Sequence, residues 1–460
     1  MQPLEALRAL WTQAGLPADA PDDVSLTGRD PALPSSFAVG TAAQASIAAA
    51  ALAAAAIWRQ RTGRRQNVSV DMRHAVTEFR SERAMRVDGA APADPWDRIA
   101  GTYPCGDGRW VRLHTNFPHH RDGVLALLGC AYDRDEVATA LRGWKAFAFE
   151  QAAAEAGLCV AAMRDAAEWD AHPQAAAVMA HPVVSITRLG DAPPEPLGPA
   201  ARPLTGLRVL ELTRVIAGPV CGRTLAAHGA DVLLLTSPSL PSIPTLVVDT
   251  GRGKRSAALD LRTAEAKATM SALLRGADIM VQGYRPGAVA GLGFAPADAA
   301  LLRPGIIYVS LLAYGTTGPW GGRRGFDSLV QTATGFNAAE AQAAGIDGPK
   351  PLPAQALDHA SGYLLAFGAL AALHRRAVQG GSWHVQVSLA RTGQWLRGLG
   401  RVPDGFHCAD PTQADIADLL DETNSGFGRL TAVRHAARLA ETPARWDRPS
   451  VPLGTDAAAW

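Results

Sequence analysis

The sequence predicts an α/β protein with a mostly parallel sheet and a smaller α+β unit beside it. Three observations carry this. After residue 204, short apolar segments at Leu207–Leu212, Asp231–Leu235, Ser256–Leu261, Asp278–Gln282 and Ile306–Leu312 alternate with helical stretches. Strands of that kind belong in a sheet covered on both faces. A Pro-rich linker, Pro193-Pro194-Glu195-Pro196-Leu197-Gly198-Pro199, separates this pattern from an earlier mixture of hairpin and helices. Finally, 48% hydrophobic and 19% charged residues in 460 give a globular chain with a sizeable core.

In chain order, residues 1–97 read as N-terminal helices. Leu4, Leu7, Leu10 and Trp11 mark an amphipathic helix, and an Ala-rich helix ends at Arg59–Gln66. An alternating strand follows at Val68–Val70, then a polar helix near His74–Arg86. Glu78 and Glu82 with Arg80–Arg86 read there as an exposed, ion-paired face. Residues 98–192 form the small α+β unit. It has a hairpin turn at Cys105–Arg109, the strand Trp110–Leu113, several helices, and a closing strand at Val183–Thr187. Residues 193–203 are the linker, 204–395 the large domain, and 396–460 a tail expected to pack back on that domain.

Charge and composition exclude several functions. A formal net charge of +1 gives no sign of nucleic acid or an anionic membrane as partner. Five scattered cysteines without CxxC spacing argue against disulfides or structural zinc and fit a cytoplasmic protein. The N-terminus shows no signal-peptide pattern. Ala42–Trp58 is apolar but Ala-dominated and interrupted by Gln44 and Ser46, so it reads as a core helix. His119-His120 lacks a third ligand and reads as a surface turn; no metal is predicted. Trp11, Trp110, Trp169 and Trp395 read as core or interface anchors.

One acid stands out. Asp358 precedes a long apolar helix running to Arg376, where a helix cap belongs. Capping is its simplest role. The alternative is a carboxylate kept ionised at the positive end of a helix and available as a nucleophile. An internal echo sharpens this. Ala56–Gly63 followed by Val68-Ser69-Val70 resembles Ala372–Arg376 followed by Gly380 and Val385-Gln386-Val387. Aligned on the helix, Asp358 falls opposite Ala42 and Gly362 opposite Ser46, so only the second copy has the acid. Pro194–Gly198 and Pro449–Gly454 form a second echo.

Several segments then fall into a familiar order: Leu204–Thr213 with Ala217-Gly218-Pro219, Gly229–Val232, Gly253–Ser256 with Leu259–Leu261, Tyr284–Gly287, and Gly315–Pro319. Over residues 204–390 this resembles the class III CoA-transferases, the family of formyl-CoA and carnitine CoA-transferases. The resemblance implies a Rossmann-like domain, here with segments permuted and partly duplicated. It implies CoA exchange between a thioester and a free carboxylate, with Asp358 as the catalytic aspartate. CoA itself is a substrate, and no tightly bound cofactor is expected. Val215, Ile216, Ala217, Lys254, Gly283, Tyr284, Arg285 and Arg324 are the implied CoA contacts, and a homodimer, interlocked in the family, is the implied assembly. Thr236 and Ser237 stand where the family carries an acid, and Gly283 where it carries Asn.

Two alternatives stay open. An α-methylacyl-CoA racemase shares the fold but needs a second acid/base, a histidine, where this chain has Phe326. A non-catalytic CoA-binding paralogue would keep the fold and lose turnover.

Overall fold

The computed structural model describes residues 1–460. Its central sheet has seven strands: β1 (Ser185–Gly190), β2 (Arg208–Leu212), β3 (Asp231–Thr236), β4 (Lys254–Ala258), β5 (Ile279–Gln282), β6 (Ile307–Leu312) and β7 (Ser382–Ser388). Their spatial order is β4-β3-β2-β5-β6-β7-β1. Every neighbouring pair is parallel except β7 and β1. The chain winds outward in one direction from β2 and in the other from β5. A crevice therefore opens where these two strands meet, beyond their carboxyl ends.

Four helices set up the site: α1 (Val39–Thr62), α2 (Ala217–Ala227), α3 (Asp327–Ala333) and α4 (Ala356–Gln379). By length and composition α1 and α4 could cross a membrane, but their apolar windows are 94% and 100% buried. They pack against each other in the main core, with α4 also against α2, β6 and β7. Small residues permit the closest of these approaches. A Cβ on Gly362 would lie 2.6 Å from the carbonyl oxygen of Ala217 and 2.7 Å from the Val220 side chain. Gly362 thus lets the second turn of α4 meet the first turn of α2.

The small unit is an antiparallel sheet of Gly101–Pro104, Trp110–Leu113 and Val160–Ala162. Its helices Pro118–Leu128, Arg134–Leu141 and Ala146–Glu155 enclose a separate apolar cluster. The strand expected to close this unit does not do so. As β1 it instead extends the large sheet beside β7, where its backbone finds a ladder partner. The C-terminal tail packs on both halves. Its hairpin pairs with Arg86–Val87, Ala437–Leu439 pairs with Val68–Asp71, and Asp456 accepts the Ser256 N–H on the edge of β4.

The internal echo has a structural counterpart. Helices α1 and α4 each span 24 residues and are closed by Gly63 and Gly380. Each is preceded by a strand that pairs in parallel with the strand following it, Val24–Thr27 with Val68–Asp71 and β6 with β7. Asp71 and Ser388 then cap the next helices in the same way. These landmarks shift the register by one residue from the helix-based alignment. Asp358 lies opposite Thr41, not Ala42, and Gly362 opposite Ala45. An Ala-rich helix alone cannot define register to one residue, whereas caps and strand pairs can.

Candidate active site

Asp358 lies in the first turn of α4, three residues past Gln355, which takes the cap position. It is therefore not the cap. The capping group is Asp327 at the start of α3, whose Oδ2 accepts the N–H groups of Leu357 (2.8 Å) and Asp358 (2.9 Å). Gln331 donates to the other oxygen. Asp327 takes two of the free N–H groups, and the Asp358 carboxylate receives no donor from the protein.

That arrangement also works against the expected ionisation. Asp358 is only 7% exposed. Burial first, then the negative charges of Asp327 and Glu82, push its carboxyl well above the usual carboxylate range. Burial also raises Asp327, to about 6, against the lowering effect of its N–H partners. Asp358 thus holds a proton more readily than an exposed aspartate does.

Asp358 borders two cavities. The first, about 600 Å³, is the crevice at the strand ends. It is lined from the carboxyl end of β2 by Arg214–Ala217, from β3 by Thr236 and Ser237, and from β4 by Leu259–Arg262. Gly283–Pro286 line it after β5 and Leu311–Ala313 at the end of β6. The loop before α3 contributes Arg323, Arg324 and Phe326. Of the predicted contacts, Val215, Ile216, Ala217, Gly283, Tyr284, Arg285 and Arg324 all meet here with Asp358. Val215 holds φ at 73°, a costly conformation for a β-branched residue, at the turn facing the acid.

Lys254 does not belong with them. It is 2% exposed, its Nζ donating to Glu211 (2.9 Å) and to the Pro219 carbonyl (2.8 Å). A buried ammonium requires such partners, and these tie the start of α2 to β2 and β4. The cations of the crevice are instead Arg214, Arg262, Arg285, Arg323 and Arg324. Arg214 lies 4.7 Å from the Phe117 ring and 5.6 Å from that of Tyr284. Arg214 and Arg262 could have been identified from their places just past β2 and β4, where parallel sheets bind ligands.

The second cavity, about 490 Å³, is lined by Glu82, Arg83, Arg86, Pro92–Trp96, His114, Asn116, Asp327 and Asp358. Val215, Ile216 and Phe326 border both cavities. Glu82, Arg83 and Arg86 of this second wall come from a segment expected to be a solvated helix. Glu78 and Glu82 are in fact buried: Glu78 accepts from the Tyr363 hydroxyl, and Glu82 lies 3.2 Å from His359 Nε2. The ion-pair pattern resembles a surface face, but its carboxylates turn inward onto α4.

The histidine pair is corrected as well. His119 and His120 begin the helix Pro118–Leu128, and both line the first cavity. His120 is buried, 3.5 Å from Cys159 Sγ. Burial first, then His119, Arg324 and Arg214, lower its pKa to about 3, so it is neutral. His114 stacks on Phe326 with ring centroids 3.7 Å apart. No group of three or more potential metal ligands is present.

Comparison with known sequences agrees with this architecture. The sequence profile described as CoA-transferase family III matches residues 24–194 and 204–399. A Mycobacterium tuberculosis protein named probable fatty acyl-CoA transferase Rv3272 is 36% identical over 207 residues, 42% of this chain and 52% of that protein. An acyl-CoA transferase of Gibberella moniliformis is 29% identical over 370 residues, 70% of this chain and 64% of that protein. The orthorhombic crystal structure of Rv3272 aligns with a TM-score of 0.40 at 36% identity, covering 43% of this chain and 57% of that one. The chain thus spans between about half and two thirds of these relatives' lengths. With the profile covering most of its residues, the chain belongs to CoA-transferase family III.

Proposed function

We propose that the protein is a CoA-transferase that moves CoA from an acyl-CoA thioester to a free carboxylic acid through Asp358. The observation carrying this reading is the meeting of Asp358 with seven of the eight predicted CoA contacts on one crevice. Five arginines there suit the phosphates of CoA, since guanidinium forks match phosphate oxygens. The ionised Asp358 attacks the thioester carbonyl, forming a mixed anhydride and releasing CoA thiolate. The thiolate attacks the aspartyl carbonyl, giving an enzyme–CoA thioester and the first free acid. The acceptor carboxylate then attacks that thioester, forming a second mixed anhydride and expelling CoA thiolate, which attacks the acceptor's carbonyl to give the new acyl-CoA and release Asp358 as carboxylate. Because burial and its acidic neighbours push the Asp358 carboxyl above the usual carboxylate range, turnover should fall as pH is lowered and the group takes up its proton.

The test is intact mass spectrometry of the protein incubated with short acyl-CoAs and trapped with hydroxylamine or borohydride. An adduct on Asp358 that disappears in Asp358→Ala supports the proposal. Retained CoA binding with no adduct from any donor would move the reading to a CoA-binding paralogue.

For assembly we propose a homodimer of self-contained chains in the cytoplasm. The packing of α1 on α4 within one chain supports self-containment, and five free cysteines support a reducing compartment. The paired strand–helix–strand elements likewise support a partly duplicated, permuted origin. A racemase-like reading has one observation in its favour: His114 brings an imidazole to Phe326, beside Asp358. Exchange of the acyl-CoA α-proton in deuterated water would favour it.

A further inference from the structure

We infer that the second cavity is a binding site for a short dicarboxylic acid, held by Arg86 through the carboxylate that does not react. The inference rests on the CoA-transfer reading for its chemistry, but its evidence is the state of the polar groups around this cavity. Most of them are already satisfied. Asp327 caps α4, Glu82 bonds His359 and Arg83, and exposed Asp94 accepts the Trp96 N–H. Three titratable groups are not; the uncharged amides of Gln355 and Asn116 also line the cavity. The Asp358 carboxylate has no donor, His114 Nε2 is buried without a partner, and Arg86 forms no ion pair.

Their chemistry divides the tasks. The Arg86 guanidinium is fixed through Nη1 by the carbonyls of Arg83 (3.0 Å), Ala84 (3.3 Å) and Met85 (2.7 Å). This leaves Nε and Nη2 for a ligand, the fork that carboxylates prefer. His114 is 4% exposed, stacked on Phe326, with Nδ1 3.5 Å from Ser328 Oγ. Burial, then Arg112 and His120, hold it neutral, so it can donate one hydrogen bond but cannot supply a counter-charge. An acid oxygen that must attack a thioester is weakened as a nucleophile if a guanidinium grips it. Arg86 is therefore suited to the far carboxylate, and His114 Nε2–H to the near one. The acid would reach Asp358 from the side opposite the arginine-rich crevice.

The experiment is calorimetric titration of the CoA-loaded protein with succinate and with butyrate, which share a four-carbon chain. Succinate should bind about tenfold or more tightly than butyrate, the scale of one charge-assisted interaction. Arg86→Met should remove that preference while leaving CoA affinity unchanged. Arg86→Lys, which keeps charge without the fork, should retain part of it. His114→Phe, which keeps the stack on Phe326, should weaken both acids alike. Equal binding of the two acids, absence of binding by either, or a preference that survives Arg86→Met would overturn the inference. Failure of the parent reading would look different. Arg86-dependent succinate binding without CoA transfer would leave this site standing and remove the transferase. Equal transfer from acetyl-CoA to both acids would do the opposite.

Discussion

The first turns of α1 and α4 are built to one plan. At α4, Asp327 accepts the N–H groups of Leu357 and Asp358; at α1, Asp30 accepts those of Gly40 (3.0 Å) and Thr41 (2.8 Å). The preceding residues, Gln355 and Ala38, share nearly the same backbone angles, φ −75° and −77° with ψ 62° and 60°. One difference lies in a single side chain. Thr41 turns its hydroxyl back onto Asp30 (2.7 Å), which completes a closed cap. Asp358 cannot donate to Asp327 when ionised, and its carboxylate faces the cavities instead. The carboxylate cap is thus a structural device common to both helices. At α4 alone the neighbouring side chain is a carboxylate, and it alone faces the two cavities.

This comparison predicts a ranked series of effects. Asp358→Ala should reduce CoA transfer by on the order of 10⁴-fold or more, as nucleophile removal commonly does, with no trapped adduct. Steady-state rates with and without the variant decide it. Thr41→Asp should not create a second site, because the crevice residues accompany α4 alone; combined with Asp358→Ala it should restore nothing. It should also cost roughly 2–3 kcal/mol, since a second carboxylate would meet Asp30 in a poorly hydrated turn. Urea denaturation measures that loss. Recovered turnover in the double variant would refute the claim that the two turns differ in their surroundings as well as in one residue.

Asp30→Ala and Asp327→Ala test the shared cap. Each should lose about 1–2 kcal/mol, the typical contribution of an N-terminal cap. Only the second should also alter kcat/KM, because Asp327 both fixes the first turn of α4 and raises the pKa of Asp358. If both variants reduced activity equally, the effect would be global destabilisation and not local control of Asp358.

The same two turns show what a sequence can and cannot disclose. The strands of the large domain were legible because each is a short apolar run between turn residues. The crevice followed from their carboxyl ends. Seven of eight predicted contacts then converged because they lie on consecutive loops at one end of the sheet. Lys254 failed because charge is visible in a sequence but a buried carboxylate partner from another strand is not. Glu82 was misread as exposed, and His114 drew no notice, for a related reason. Their roles depend on contacts hundreds of residues away, as between Glu82 and His359, or on a ring stack across domains. The cap assignment erred because Asp327 sits 31 residues before the helix residue it serves, beyond the reach of local capping patterns.

Asp358→Asn makes the smallest and most diagnostic change, because it keeps shape and removes only ionisation. The folded-state pKa of Asp358 lies above that of an unfolded aspartate. Its neutral form therefore contributes stability that is fully present below the unfolded pKa and declines as pH rises through the folded value. Asparagine cannot ionise and loses nothing at this position. Wild type and Asp358→Asn should consequently melt together in acid, and the variant should become the more stable by a few degrees as pH reaches 8. Asp327, itself raised to about 6, adds to the effect, because removing the neighbouring charge eases its own ionisation. Thermal melts at several pH values provide the measurement. A wild type more stable than the variant at pH 8 would mean that the helix terminus holds Asp358 as an anion. Burial and its two acidic neighbours would then not be the governing forces at this carboxylate.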